Sequence, residues 1–339
     1  MLTIGNRTFE SPLVLAPLSG ISDLPYRLIN RKVGCCLAFT EMISAHAMVY
    51  ENKKTLHMLD MDEADRPLGL QIMGGEPDII KRALEIAEQH KFDLIDFNSA
   101  CPARKVSGSG KGAALMKDLK KLEEILKAII ANTDLPATVK IRAGWDALSI
   151  NAVETAQLAE SVGMAAVFIH GRTKSQGYRG NVDYGIIKKV KEAVGIPVIA
   201  SGDALSPELI KRMFDETGCD GVILARGALG NPWLFNATTE FLKTGIVPPR
   251  PSGTELAEIM KAHLALSLQT LGERLAIVRF RKFFAWYAKG LPAKKLKDSA
   301  FRAASADEMY RQIDVLAEIS LAGKCPEGTS TDVIFGSRG

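Results

Sequence analysis

No run in this 339-residue chain approaches the ~20 consecutive apolar residues that a membrane span needs. The opening Met1-Leu2-Thr3-Ile4-Gly5-Asn6-Arg7 also lacks the charged-then-apolar layout of a secretory leader. Cysteine is scarce. Cys35, Cys36, Cys101, Cys219 and Cys325 include no Cys-x-x-Cys pair and no workable disulfide framework, and no metal centre is expected from them. Together these absences predict a cytoplasmic protein with reduced thiols and no membrane partner. What remains is average for a globular chain, 47% apolar and 24% charged, and long enough for one large domain plus a smaller one.

Up to about residue 240, short apolar runs alternate with longer helical patterns. The runs are Leu13–Ala16, Leu37–Thr40, Leu68–Gln71, Leu94–Phe97, Thr138–Ile141, Ala166–Ile169, Pro197–Ala200 and Gly221–Leu224. Most are continuously apolar, as strands buried on both faces should be. Between them, Pro77–His90 and Leu119–Ala131 place apolar residues on one helical face, and Ser206-Pro207-Glu208 reads as a helix start. Eight strand–helix units within ~240 residues predict an α/β fold, a (β/α)8 TIM barrel, over a doubly wound sheet.

After Phe241 the pattern changes. Val247–Gly253, rich in Pro and Gly, reads as a linker, and roughly 254–272, 275–290 and 306–322 read as helices with no strand between. The predicted organisation is a barrel domain over 1–245, a small C-terminal helical domain over 254–323, and a disordered tail over 324–339. Charge separates these regions. Arg274 to Arg302 holds nine Lys or Arg and one acid, so it carries +8 in a chain whose net charge is +4. The basic character belongs to that segment.

In such a barrel the chemistry sits where the strands end. Those ends deliver Ala16-Pro17-Leu18-Ser19-Gly20, Gln71, Asn98-Ser99-Ala100-Cys101-Pro102, Lys140 with Arg142, His170-Gly171-Arg172-Thr173, Ser201-Gly202-Asp203 and Ala225-Arg226-Gly227. Gly202 and Gly227 allow close backbone approach, and Arg226 can pair with a phosphate. Lys140 and His170, from neighbouring strands, can face the electron-rich edge of a redox ring. Any one of these alone is more simply a cap or loop residue; the set is harder to dismiss. A lone Cys is usually a small buried hydrophobe, the reading taken for Cys35, Cys36, Cys219 and Cys325. Cys101 differs because it follows Asn98 at a strand end and precedes Pro102 on a loop facing the mouth.

These residues resemble a family. Asn98-Ser99-Ala100-Cys101-Pro102-Ala103-Arg104-Lys105-Val106 is similar to the Asn-x-Gly-Cys-Pro-x-x-Lys-Val signature of tRNA-dihydrouridine synthases, and the likeness is closest to the bacterial B-type subgroup. It continues through Gln71–Gly74, Lys140–Gly144, His170–Thr173, Ser201–Asp203, Ala225–Trp233 and the helical Arg281–Tyr287 segment. The resemblance implies an FMN-dependent oxidoreductase that uses NADPH to reduce a uridine in tRNA, and a monomer is expected. Carried over by position, Pro17, Leu18, Ser19, Gln71, Lys140, His170, Ser201, Gly202, Asp203, Ala225 and Arg226 would hold the cofactor. Asn98, Lys140, His170 and Arg172 would surround the target base. Hydride would pass from the flavin to C6, and Cys101 would donate the proton to C5. An ordinary thiol, with a pKa of about 8.5, is protonated at neutral pH and can do this.

Three departures stand out. Ala100 takes the place of the usual Gly, which would stiffen the loop if the turn needs positive φ. Ser201 stands where Asn is common, and Ala225 where Gly is. Trp286 and Tyr287 are candidates for stacking but read more simply as core. Two other functions share parts of the pattern: an FMN barrel oxidoreductase of a free pyrimidine, and a tRNA-binding folding helper. The basic helices argue against the first, and a yellow protein bleached by NADPH would argue against the second.

Overall fold

The computed structural model describes residues 1–322; the expected tail from 324, with Cys325, lies outside them. Eleven strands are present among the described residues. They are β1 (Leu2–Ile4), β2 (Arg7–Phe9), β3 (Leu13–Leu15), β4 (Leu37–Phe39), β5 (Ile43–Ser44), β6 (Leu68–Met73), β7 (Leu94–Asn98), β8 (Ala137–Arg142), β9 (Ala166–His170), β10 (Val198–Ser201) and β11 (Gly221–Leu224). Parallel pairing runs β4-β3-β11-β10-β9-β8-β7-β6, and β6 pairs back onto β4. That last pairing closes the ring into a (β/α)8 barrel, with β5 attached to β6 outside the eight.

Each barrel strand coincides with one of the eight apolar runs, shifted by a residue or two. The helices follow their start signals: Ser206 caps Pro207–Thr217 by accepting from the Leu209 N–H, and helices span Pro77–Ala87 and Leu119–Ile130. The β1–β2 hairpin has no counterpart among the predicted elements. Its Leu2 and Ile4, with Phe9, pack against Val14, Leu37, Phe39, Leu94, Ala166, Phe168, Ile199 and Ile223. Several of these begin their strands, so the hairpin plugs the N-terminal end of the barrel. The opposite end is left for the site.

Two compact units divide at Pro248/Pro249, and each is described by itself. In the second, helices span Gly253–Leu271, Glu273–Tyr287, Lys294–Arg302 and Ala306–Ala322. The third of these was not anticipated. A capping box fixes the first: Ser252 accepts from the Glu255 N–H while the Glu255 carboxylate accepts from the Ser252 N–H. His263, Phe280, Phe283, Phe284 and Tyr287 form a buried aromatic core. Among the described residues no helix is long and apolar enough to cross a membrane.

Candidate active site

One cleft opens at the C-terminal ends of the barrel strands. Ala16 to Ser19 follow β3, Gln71 stands on β6, and Asn98 ends β7 just before Ala100, Cys101 and Pro102. Lys140 and Arg142 come from β8, His170 from β9, Ser201 to Leu205 from β10, and Ala225 with Arg226 from β11. The expected site residues therefore line one cleft, with a single exception. Arg172 does not line the cleft. It is buried behind it, and its guanidinium grips the Asp203 carboxylate at 2.5 and 3.1 Å and the carbonyls of Arg179 and Gly180.

Asp203 is the hinge of this corner. Besides Arg172 it accepts from Arg226 at 2.6 Å, and it holds a φ of 50°, which an Asp tolerates better than most residues. Gly202 before it has a φ of 125°, and a Cβ there would lie 2.7 Å from Val182 and 3.1 Å from the His170 ring. Only glycine suits both the conformation and the space. A Cβ on Gly227 would lie 2.1 Å from the Ala204 carbonyl oxygen, so the loops after β10 and β11 touch backbone to backbone. The result is a shallow cradle of main chain with Arg226 at its rim, a shape suited to a phosphate. Ala225 has a φ of −113° and a ψ of −96°, outside the α and β regions.

Cys101 is half-buried, on a loop clamped from three sides. Its N–H donates to the Asn98 side-chain oxygen at 2.9 Å, and its carbonyl accepts from the Ala113 N–H at 3.2 Å. Arg142 Nε donates to the Ala100 carbonyl at 2.8 Å, while its Nη1 reaches the carbonyls of Thr173 and Gly177. Ala100 carries no positive φ, so the turn does not need glycine on that account.

Below the loop lies a polar ladder that sequence reasoning missed. Register places Gln71 opposite Asp96 and Asp96 opposite Thr138. Thr138 donates to Asp96 at 2.7 Å, Gln71 Nε2 donates to Asp96 at 2.6 Å, and Asn98 Nδ2 donates to Gln71 Oε1 at 2.9 Å. Asp96 is 2% exposed, and burial pushes its carboxyl pKa up, opposed by these two donors and by Lys140. A carboxylate in an otherwise apolar strand, two residues before Asn98 on the same face, was the available signal.

Lys140 stands next to this ladder, opposite Asn98 in register. Burial lowers its pKa, Asp96 opposes that and Arg142 adds to it. Its Nζ and the His170 Nε2 are buried with no hydrogen-bond partner among the described residues. Burial first, then the charges of Arg142, Lys140, Arg172 and Arg226, push the His170 pKa down to about 2. These shifts favour the neutral imidazole over the cation at His170. Tyr178, 59% exposed, overhangs the cleft with the Arg226 and Arg142 guanidinium carbons 5.1 and 5.8 Å from its ring centre. It lies in an irregular loop, where no periodicity marks it. Among the described residues no cluster of His, Cys, Asp or Glu could hold a metal.

In the helical unit, Arg274, Arg279, Lys289, Lys294, Lys295 and Arg302 are exposed. Tyr287 is buried beside His263 Nδ1 and belongs to the core; Trp286 is half-buried with its ring edge-on to Phe283.

Comparison with known proteins bears on this cleft. A family model described as dihydrouridine synthase matches residues 14–320. A probable tRNA-dihydrouridine synthase of Rickettsia conorii is 39% identical, covering 86% of this chain and 88% of its own. The tRNA-dihydrouridine synthase B of Pseudomonas aeruginosa is 34% identical over 92% of this chain and 96% of its own. Among solved structures, histamine dehydrogenase from Rhizobium sp. 4-9 superposes with a TM-score of 0.56 at 13% identity, covering 78% of this chain. A 6-hydroxypseudooxynicotine amine oxidase from Pseudomonas geniculata gives 0.56 at 13% over 77%. This chain spans about half the length of those two structures, and at such identity they speak to the barrel fold alone.

Proposed function

This chain belongs to the dihydrouridine synthase family, and from that premise we propose that it reduces the C5=C6 bond of a uridine in tRNA, using FMN and NADPH. One observation carries the reading: two buried nitrogens without partners among the described residues, Lys140 Nζ and His170 Nε2, in the cleft that Cys101 also lines. A buried polar atom left unsatisfied costs about 1–3 kcal/mol. A cleft that keeps two of them suits a ligand with heteroatoms at its edge, as flavin and uracil both are.

Ser201, Gly202, Asp203, Ala225 and Arg226 would hold the ribityl and phosphate groups, and Pro17, Leu18, Ser19, Gln71 and Lys140 would meet the ring. Bound there, FMN supplies the hydride that adds to C6. Asn98, Lys140 and His170 orient the base, with the Lys140 ammonium stabilising the negative charge that develops on its carbonyl oxygen. Arg172 contributes indirectly, by fixing Asp203. The Cys101 thiol gives its proton to C5, and the thiolate regains one from water. The new C–H bonds at C6 and C5 replace the π bond.

The target base must leave its stack, which costs a few kcal/mol. The exposed cations of the helical unit offset that by engaging phosphates. The reading extends to a monomer working in the cytoplasm. Mass spectrometry of tRNA from cells lacking the protein should find one uridine position unreduced, and adding back the full chain should restore it. Unchanged dihydrouridine at every position would overturn the proposal.

A further inference from the structure

The ladder beneath Cys101 has a direction. An ionised carboxylate only accepts hydrogen bonds, so Asp96 obliges Gln71 to turn its NH2 downward. The Gln71 carbonyl oxygen must then face upward, where it accepts from Asn98 Nδ2. Asn98 in turn must present its oxygen to the N–H groups of Ala100 and Cys101. We infer that Asp96 is a positioning residue: as the acceptor-only foot of this chain, it orients the Gln71 and Asn98 amides and thereby seats the Cys101 loop. Thr138 completes the foot by donating to the other carboxylate oxygen.

Removing the charge removes the direction. In Asp96→Asn the foot can donate as well as accept, so both amides above it can turn over. An inverted Asn98 would set its NH2 against two N–H donors, and the loop would lose its seat. The isosteric change leaves the packing of β7 otherwise intact. A second substitution restores the direction one rung higher. In D96N/Q71E the carboxylate introduced at position 71 is acceptor-only. It takes one hydrogen bond from the new amide at position 96 below and another from Asn98 above, which returns Asn98 to its native orientation.

The readout is the rate at which iodoacetamide alkylates Cys101 in the full chain, followed by peptide mass spectrometry. Cys35 and Cys219 are buried, and mapping separates every cysteine from Cys101. D96N should accelerate the reaction about fivefold, the scale of one net hydrogen bond, and D96N/Q71E should bring it back towards wild type. An unchanged rate in D96N overturns the inference, and so does acceleration that the double variant fails to reverse, because a merely structural role would not be rescued this way. If D96N does not fold, Gln71→Leu cuts the same chain one rung higher and should accelerate alkylation equally; no acceleration there overturns the inference as well. The inference rests on the proposed role of Cys101 only for its meaning in catalysis. A wild-type chain that never reduces RNA yet shows this alkylation pattern would refute the function and leave the positioning role standing.

Discussion

Several charged side chains in the barrel are turned inward and matched. Arg27 meets Asp65 at 2.7 Å with both side chains almost wholly buried, and Arg172 and Arg226 share Asp203. In the helical unit the charges lie outside: Arg274, Arg279, Lys289, Lys294, Lys295 and Arg302 are exposed along a segment with a single acid. The difference teaches what each set is for. Buried pairs contribute little net stability but are costly to break, so they serve to fix geometry. Exposed cations contribute almost nothing to folding, and a run of them suits the phosphate contacts proposed above.

The largest effect is expected at the group that the barrel's geometry serves. Cys101→Ala should lower dihydrouridine formation by about 10²–10⁴-fold, the usual worth of a positioned acid, while the protein stays yellow. Activity near wild type would break the link between the clamped loop and proton transfer. Next comes the matched charge itself. Asp203→Asn strands Arg172 with its charge buried, and should cost about 3 kcal/mol of stability together with loss of bound flavin. Denaturant unfolding with flavin absorbance reads both. A loss below about 1 kcal/mol would show that the barrel's pairs are no more coupled to the fold than surface ones.

Much of this barrel could be read from the chain, and the reason is local. Eight apolar runs and a handful of caps are properties of neighbours in sequence, so the strands and the end of the barrel that bears the site follow from them. Asp96 could be flagged as a carboxylate in an apolar strand, but its partners could not be read, because Gln71, Asp96 and Thr138 meet only through strand register. Arg172 shows the same limit. Its place at a strand end suggested the cleft, whereas its guanidinium binds Asp203, 31 residues away, and does not line the cleft. The β1–β2 hairpin was passed over because three-residue strands offer too little alternation to register, although Gly5-Asn6 between them is turn chemistry. In the helical unit the excess of positive charge was plain from composition, since it depends on no distant residue.

Lys140 tests whether inward charge is put to use. Its folded pKa lies below the ordinary lysine value of about 10.4, because burial disfavours the cation. Between the folded and the unfolded pKa the unfolded chain binds the extra proton, so stability should rise with pH across that window. Activity should fall over the same window, as the ammonium needed at the base is lost. Opposite pH trends in melting temperature and turnover, with the stability trend absent from Lys140→Met, would sharpen the comparison. Parallel trends would mean that the cation is structural. His170, already neutral, should add no titration between about pH 5 and 8, the range in which an ordinary histidine changes charge.

The smallest effect per residue, and the most diagnostic of the other region, concerns salt. Replacing Lys294, Lys295 and Arg302 with Gln should leave stability within about 0.5 kcal/mol, since each side chain is exposed. Affinity for tRNA should fall, and the slope of log affinity against log salt should flatten by about 0.7–0.9 for each phosphate no longer engaged. Turnover on saturating tRNA should hold, because none of the three belongs to the barrel. Affinity and slope that both stay unchanged would make the basic segment no more than a solvated face. A flattened slope with unchanged turnover would divide the two regions by function as cleanly as charge already divides them.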